Sequence, residues 1–434
     1  MDWPPSGRLT RRHLLGVTAV AAGGLAGCQT SDTDETVRET VTPAAVPTET
    51  FTSRLELRHD TPLASPTAAA IEQLLTAFEE ATQAVTPVEQ TRSGRETEDR
   101  GGDGTAIVTY DRIGATLAPR TEELRSLDAL WESQQSVLPH GVAISSYVGR
   151  APTVIPQAVN LLNCLYYNPE VLSDAGISPG DYATVRDVYA EPGPLAETVE
   201  TLFAQPLRSA TDLLELWEGL LGSRLYRQRQ YMGYVSGHVD NEPLPIKRAT
   251  RDLDAALSML PTSAGEATPE SLLDGVVDGS IGFVRQPTWA SQYLRDRSDV
   301  TYGTDWAVAP LFGSPWGVVF VAEGFAVPDV SEAVTSRALI QFATDRDQQR
   351  HFCATAGAIP ARTDVTVDAH PMLAEQTEEY REASMHLPSM AHGVAVRTPV
   401  RRSIEAALTE FRDHRDVEQA VEDLIAALRT AEMV

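Results

Sequence analysis

The chain has 434 residues, with 35 Lys plus Arg against 61 Asp plus Glu and a formal net charge of −26 at pH 7. That length suits two domains or one large two-lobed body, and an apolar content of 42% is enough for ordinary cores. So acidic a surface opposes nucleic-acid binding, which needs basic patches, and three cysteines with nine scattered histidines show no metal spacing such as C-x2-C or H-E-x-x-H.

The chain opens on Arg8, Arg11 and Arg12, followed by a run of mostly Leu, Val, Ala and Gly from Leu14 to Ala26. As a helix that run spans ~20 Å, short of the ~30 Å hydrocarbon core, so it reads as an export signal and not a membrane span. The paired arginines resemble a twin-arginine signal. Leu25-Ala26-Gly27-Cys28 resembles a lipobox, in which small residues fit the signal peptidase and the Cys28 thiol takes the lipid. An ordinary signal with a chance cysteine is the plainer alternative. Residues 1–27 are thus expected to be a lipoprotein signal peptide. Residues 28–52, rich in Thr, Asp, Glu and Pro, are expected to be a flexible tether, because they cannot bury enough surface to offset their ordering entropy. No later apolar run approaches ~18 residues, so the body is not expected to span a membrane.

The first 27 residues carry three Arg and one Asp, so removing them takes the net charge from −26 to −28. Lys247 is the only lysine. An acidic surface nearly free of Lys resembles proteins of salt-loving archaea, in which salt screens the self-repulsion; an acidic protein from a GC-rich genome is the alternative. Cys164 and Cys353 lie in apolar surroundings far apart in sequence, which favours two buried thiols over a disulfide. There is no G-x-S-x-G elbow, no Walker-type loop and no G-x-G-x-x-G after a strand. No cofactor is expected.

In chain order, Arg54-Leu55-Glu56-Leu57 alternates like a strand, and residues 67–83 carry Ile71, Leu74, Leu75 and Phe78 on one helical face. Residues 105–110 form a short apolar strand run, so strand, loop, helix and strand make a parallel α/β unit. Ligands in such units sit off the C-terminal strand ends, which puts His59-Asp60-Thr61 and Tyr110-Asp111-Arg112 on one rim. Residues 156–167 are an extended apolar run, and Pro169 starts a short helix ending near Gly176. Residues 195–260 look mainly helical; 280–284, 306–311 and 317–327 read as strands; 333–354 and 417–428 read as helices.

Five segments carry a resemblance. Tyr166-Tyr167-Asn168-Pro169 through Asp174-Ala175-Gly176-Ile177 is one; Gly279-Ser280-Ile281-Gly282-Phe283 with Trp289-Ala290 is a second. Val308-Ala309-Pro310-Leu311, Gly317 with Gly324-Phe325-Ala326-Val327, and Ala356-Gly357-Ala358-Ile359-Pro360-Ala361-Arg362 complete the set. In this order they resemble the extracellular solute-binding proteins of sugar-type ABC importers, the group that includes maltose-binding protein, over roughly residues 53 to 430. The resemblance implies an α/β fold of two lobes of the periplasmic-binding-protein kind, joined by a hinge, with a ligand cleft between them. Lobe one would comprise 53–160 plus 316–365, and lobe two 161–315 plus 366–434.

The same resemblance suggests cleft residues. Tyr110, Asp111 and Arg112 follow a strand, where relatives bind sugar hydroxyls with an aromatic ring and an Asp-Arg pair; a surface ion pair beside a buried Tyr is the plainer reading. Trp289 matches a tryptophan that packs on ligand, or else a core Trp; Trp316, beside Gly317, is open to both readings. Asp60 follows the first strand, as ligand contact or helix cap, while Gln157 and Asn160 lead into the crossover, where relatives place polar contacts. Arg362 and Arg397 are site candidates with salt-bridge or structural alternatives. Ala395-Val396-Arg397-Thr398 resembles the end of maltose-binding proteins, but Gly393 stands where those carry a stacking Trp, which counts against maltodextrin. Residues 178–209 also depart from the pattern.

The implied function is that of a monomer held by lipidated Cys28 on the outer face of the cytoplasmic membrane. It would capture a sugar or related solute, with ABC permease and ATPase subunits as partners and no catalytic residues. A surface-anchored sensor or adhesion protein on the same scaffold is the alternative. A hydrolase is third, since no spacing singles out a glycosidase-like carboxylate pair.

Overall fold

A computed structural model of the chain describes residues 54–431, apart from 60, 63–64, 83–87, 93–104, 115–123, 149–150, 240–242, 313–316 and 332, and for 88–92 the backbone alone. All of these lie in the unit Ala44–Val434. The assigned strands are, in chain order, β1 (Leu55–His59), β2 (Val88–Arg92), β3 (Ala106–Arg112), β4 (Tyr147–Val148), β5 (Ala151–Pro152), β6 (Val154–Leu161) and β7 (Cys164–Tyr167). They continue with β8 (Thr201–Ala204), β9 (Ile281–Gln286), β10 (Ala307–Pro310), β11 (Gly317–Ala326), β12 (Ile359–Pro360) and β13 (Met385–Pro388).

β1 alternates as its sequence predicts: Leu55, Leu57 and His59 are buried, while Glu56 and Arg58 pair at 2.9 Å on the other face. Its parallel neighbours β2 and β3 extend a seven-stranded sheet in the order β12-β6-β11-β3-β1-β2, with β13 beside β11. The Pro66–Thr82 helix covers the sheet with Ile71, Leu74, Leu75 and Phe78. A separate four-stranded sheet, β10-β7-β9-β8, forms the second lobe. Its Ala210–Ser223 helix is buried along its whole middle, Leu213 to Gly222, and starts at a Ser209/Asp212 capping box. The helices Leu244–Met259 and Thr398–His414 pack on it, and Val417–Arg429 packs on those two.

β11 organises both lobes. Its first residues pair with β13, its last with β3, and its other edge with β6. The β6 pairing slips at Glu323/Gly324, where Pro156 meets Gly324, so the proline without an N–H falls at an irregularity. A Cβ on Gly324 would lie 2.5 Å from the Ile155 carbonyl, so this approach requires glycine.

The chain leaves the large sheet at Leu162-Asn163 and returns after β10. Asn163 clamps both passages. Its Nδ2 donates to the Gly317 carbonyl at 3.0 Å, and its Oδ1 accepts from the Val319 N–H at 2.8 Å. Its own carbonyl accepts from the Leu311 N–H at 2.8 Å. A third passage, residues 389–397, joins β13 to the Thr398–His414 helix. The apolar clusters interlock accordingly: Tyr166, Val284 and Val308 of the small sheet join the cluster of the large one, and Val319 and Leu387 of the large sheet join the helical cluster.

Some details differ from the sequence expectations. The run 156–167 is two strands broken at residues 162 and 163. The expected helix 333–354 is two, Ala333–Ala343 and Arg346–Ala356, because Asp345 caps the second by accepting from the Asp347 N–H. β2, an edge strand of polar sequence, carries no apolar alternation to announce it. β13 lies in the large sheet, whereas the sequence groups residues 366–434 with the second lobe.

Replacing Asn163 with Ala leaves a strand N–H and a carbonyl buried without their side-chain partner. Unfolding in denaturant should show a loss of about 2–4 kcal/mol, and a loss under about 0.5 kcal/mol, the scale of a surface change, would rule out the clamp.

Candidate functional site

The junction of the lobes carries a chain of polar and aromatic contacts. Near the end of β6, Asn160 Oδ1 accepts from the Thr288 hydroxyl at 3.2 Å, and that hydroxyl oxygen accepts from the Leu161 N–H at 3.0 Å. Thr288 belongs to the turn that follows β9, so this knot joins the two sheets. The next residue, Trp289, is 39% exposed, a large ring left open where its neighbours are buried. Its ring stands edge-on to His392 at 5.6 Å.

His392 connects the remaining groups. Arg112 Nη1, at the end of β3, lies 3.1 Å from His392 Nδ1. His392 Nε2 lies 2.8 Å from Glu215 Oε1, and Glu215 Oε2 accepts from Arg285 Nη1 at 2.6 Å. Asp111 stands beside Arg112 and accepts its N–H at 2.7 Å. Gly114 and Gly393 make room for this closeness: both have left-handed φ, 96° and 70°, and a Cβ on Gly114 would lie 2.3 Å from the Gly393 carbonyl.

The turn that presents His392 is held by a second carboxylate on the same helix. Glu218 accepts from the Ser389 hydroxyl at 2.6 Å, the Met390 N–H at 2.7 Å and the Ala391 N–H at 3.1 Å. Glu215 and Glu218, three residues apart, titrate in opposite directions. Burial pushes Glu215 up, but Arg285 and His392 outweigh it and hold the carboxyl at about 2. Burial pushes Glu218 to about 7, against the pull of its neutral donors and helped by the Glu215 charge.

Of the residues nominated by sequence, Arg112, Asp111, Asn160 and Trp289 lie in or beside this chain. Tyr110 sits in the lobe-one core, its ring 4.9 Å from Phe325 and 5.4 Å from Phe352 and its hydroxyl donating to Glu323 at 3.0 Å. Its strand alternation turns it inward, which corrects the idea of a stacking platform there. Gln157 is fully buried and donates to the Ala343 carbonyl at 3.0 Å. Arg362 forks onto Asp364 at 2.8 and 2.7 Å and also reaches Gln134. Both act as braces within lobe one. Arg397 stands at the N-cap of the Thr398–His414 helix without a side-chain cap bond. Asp60, Trp316 and Cys28 lie outside the described residues.

Glu215, Glu218, Thr288 and His392 were not singled out by sequence. The two glutamates left a signal: they interrupt an otherwise apolar helix with no polar face, and a buried charge demands partners. His392 left none beyond its place near the third passage.

Among the described residues no group of three His, Cys, Asp or Glu is placed to hold a metal ion, and Cys164 and Cys353 are buried free thiols. A concavity of about 490 Å³ on the Gln228–Val235 helix, lined by Tyr226, Arg227, Arg229 and His238 among others, shares no residue with the chain at the junction. The junction is marked by its convergent chemistry and not by this hollow.

Two α/β lobes, three connecting passages and an aromatic-polar junction between them define a solute-binding protein. The profile of the bacterial extracellular solute-binding protein family matches residues 115–378. An uncharacterised ABC transporter extracellular-binding protein of Pyrococcus horikoshii is 22% identical over 321 residues, covering 71% of this chain and 70% of that protein. Among solved structures, maltose-bound T. maritima MalE3 aligns with a TM-score of 0.63 at 18% identity, covering 86% of this chain and 99% of that one. The bacterial solute receptor AcbH, described as having an exclusive preference for β-D-galactopyranose, aligns at 0.65 with 12% identity, covering 88% and 98%. The chain belongs to the bacterial extracellular solute-binding protein family.

Glu218 gives a direct test of the turn. Its carboxyl is near 4.5 unfolded and about 7 folded, so the folded state holds the proton more tightly and Glu218 costs stability as pH rises from 4.5 to 7. Glu218→Gln keeps an oxygen for the two N–H groups and an N–H for Ser389. It should therefore be more stable than wild type by up to about 3 kcal/mol near pH 8, with the advantage fading toward pH 5. A difference independent of pH would contradict the buried, pKa-shifted carboxyl.

Proposed function

We propose that this protein is a lipid-anchored receptor that captures a sugar or related small polar solute outside the cell and delivers it to an ABC importer. The observation that carries the reading is the open Trp289 ring at the lobe junction, with Asn160 and Arg112 bonded into the same contact chain. An aromatic face takes the apolar face of a pyranose, while guanidinium, amide and carboxylate groups exchange hydrogen bonds with hydroxyls. Two structural relatives named for maltose and for β-D-galactopyranose support a saccharide class, and their difference leaves its size to be measured. The anchor rests on Arg11-Arg12 and the Leu25–Cys28 segment, with residues 28–52 as the tether.

The mechanism is a population shift. A solute that touches both lobes only when they are closed stabilises the closed state by its differential affinity. A permease pair and its ATPase would then take the solute from the closed receptor. No step requires a covalent bond. The lobes in this reading are 53–160 with 316–365 and 161–315 with 366–434, with β13 lending a strand to the first sheet.

A thermal-shift screen of the full chain in roughly 2–4 M KCl, chosen to screen its acidic surface, tests the class. Mono- and disaccharides, maltodextrins, glycerol phosphates and polyols form the panel. A ligand that binds only the native state must raise Tm, so a rise with one saccharide class supports the reading and a flat panel on folded protein overturns it. Trp289→Ala should keep the fold, since the ring is 39% exposed, yet weaken binding of that saccharide about tenfold or more, some 1.4 kcal/mol; unchanged affinity in calorimetry would remove Trp289 from the site.

A further inference from the structure

Arg112 belongs to the large sheet, and Glu215 and Arg285 belong to the second lobe; His392 bonds to both Arg112 and Glu215. The chemistry of its neighbours fixes its state. A guanidinium offers donors only, and an ionised carboxylate offers acceptors only. His392 therefore accepts at Nδ1 and donates at Nε2, which is the neutral ring with its proton on Nε2. The ring is held in place by its surroundings: Trp289 packs against it, its backbone N–H donates to the Ser389 hydroxyl at 3.1 Å, and Glu218 pins the turn. Nε of Arg112 and Nε and Nη2 of Arg285 are buried with no hydrogen-bond partner.

We propose that His392 is the positioning residue of the cleft: it ties Arg112 to the second lobe, presents that guanidinium to the solute, and does so only while Nδ1 carries no proton. A proton arriving at Nδ1 turns the acceptor into a donor that faces a cation. The Arg112 bond is lost and like charges oppose each other, while Glu215 keeps its hold on Nε2. Acidification therefore frees the rim of lobe one from lobe two before any solute is involved. The charged groups around the ring are Arg112 from β3 and Glu215 from the Ala210–Ser223 helix, with Arg285 of β9 and Glu218 behind them. The proposal rests on the two-lobed receptor reading but not on the identity of the solute.

The test is made on the full chain without solute. Spin labels at two exposed positions, Glu79→Cys on lobe one and Arg248→Cys on lobe two, report the interlobe distance by pulsed electron resonance; the native Cys164 and Cys353 are buried. Wild type should show a short-distance population at about pH 8 that is lost toward about pH 5, the range in which histidine changes charge. His392→Gln, whose amide oxygen can accept from Arg112 and whose N–H can donate to Glu215, should hold the short population at both pH values. Arg112→Met should lack it at both. Glu218 is present in every variant, so its titration cannot account for a difference between wild type and His392→Gln. A wild-type distance indifferent to pH overturns the proposal, as does a His392→Gln protein that opens like wild type or an Arg112→Met protein that stays closed. The labelled protein with native Arg112, Glu215 and His392 leaves these contacts intact, so its series decides even if a further variant unfolds. With no sugar present, its result is independent of the saccharide screen.

Discussion

One strand, β11, is shared by three others of the large sheet. Its ten residues serve β13, β3 and β6 at once, and they are the first the chain reaches after its return from the second lobe. Because its two ends pair with different partners, it cannot slip in register without breaking both. Asn163 exploits this by giving β11 a side-chain partner where the β6 backbone departs, so the outgoing and returning passages are tied to one fixed line. The cleft inherits its geometry from that line: β3 delivers Arg112 opposite Glu323 of β11, and β13 beside it leads directly into the turn that carries His392.

The Ala210–Ser223 helix shows how environment, more than residue type, assigns roles. Glu215 and Glu218 occupy one helix, three positions apart, in nearly equal burial. Glu215 faces Arg285 and His392 and remains ionised; Glu218 meets only neutral donors and is pushed toward neutrality. The ionised member pairs with Arg285 within the second lobe and meets His392, and the other shapes the backbone of the third passage. Neither is replaceable by the other, because a charge without a cation and a cation without a charge are both costly in a buried place.

Much of the large-scale order was legible in sequence. The Ile71, Leu74, Leu75 and Phe78 face, the alternation of β1 and the ordered family segments led to the right architecture because hydrophobic periodicity is local. The break at Thr344-Asp345 was missed because the apolar pattern runs through it and only the cap interrupts the helix. Arg112, Asn160 and Trp289, nominated from strand ends and the family pattern, are brought to the same junction. The junction was not legible at His392, which acquires its partners only when residues 112, 215 and 289 are brought together in space. Tyr110 shows the converse error, since a residue at a favourable position along the chain points to the wrong side of its strand.

The junction is also insulated. The chain carries a net charge of −26, so its outer surface must respond strongly to ionic strength, and contacts such as Lys247–Glu418 lie in the screened zone. Arg285 is only 2% exposed and Glu215 only 8%, and bonds between such groups are direct contacts that dissolved ions cannot enter. Solubility and this buried pairing are thus governed by different variables in one molecule: ionic strength tunes the exterior, while the Glu215–Arg285 pair inside the second lobe is shielded from it.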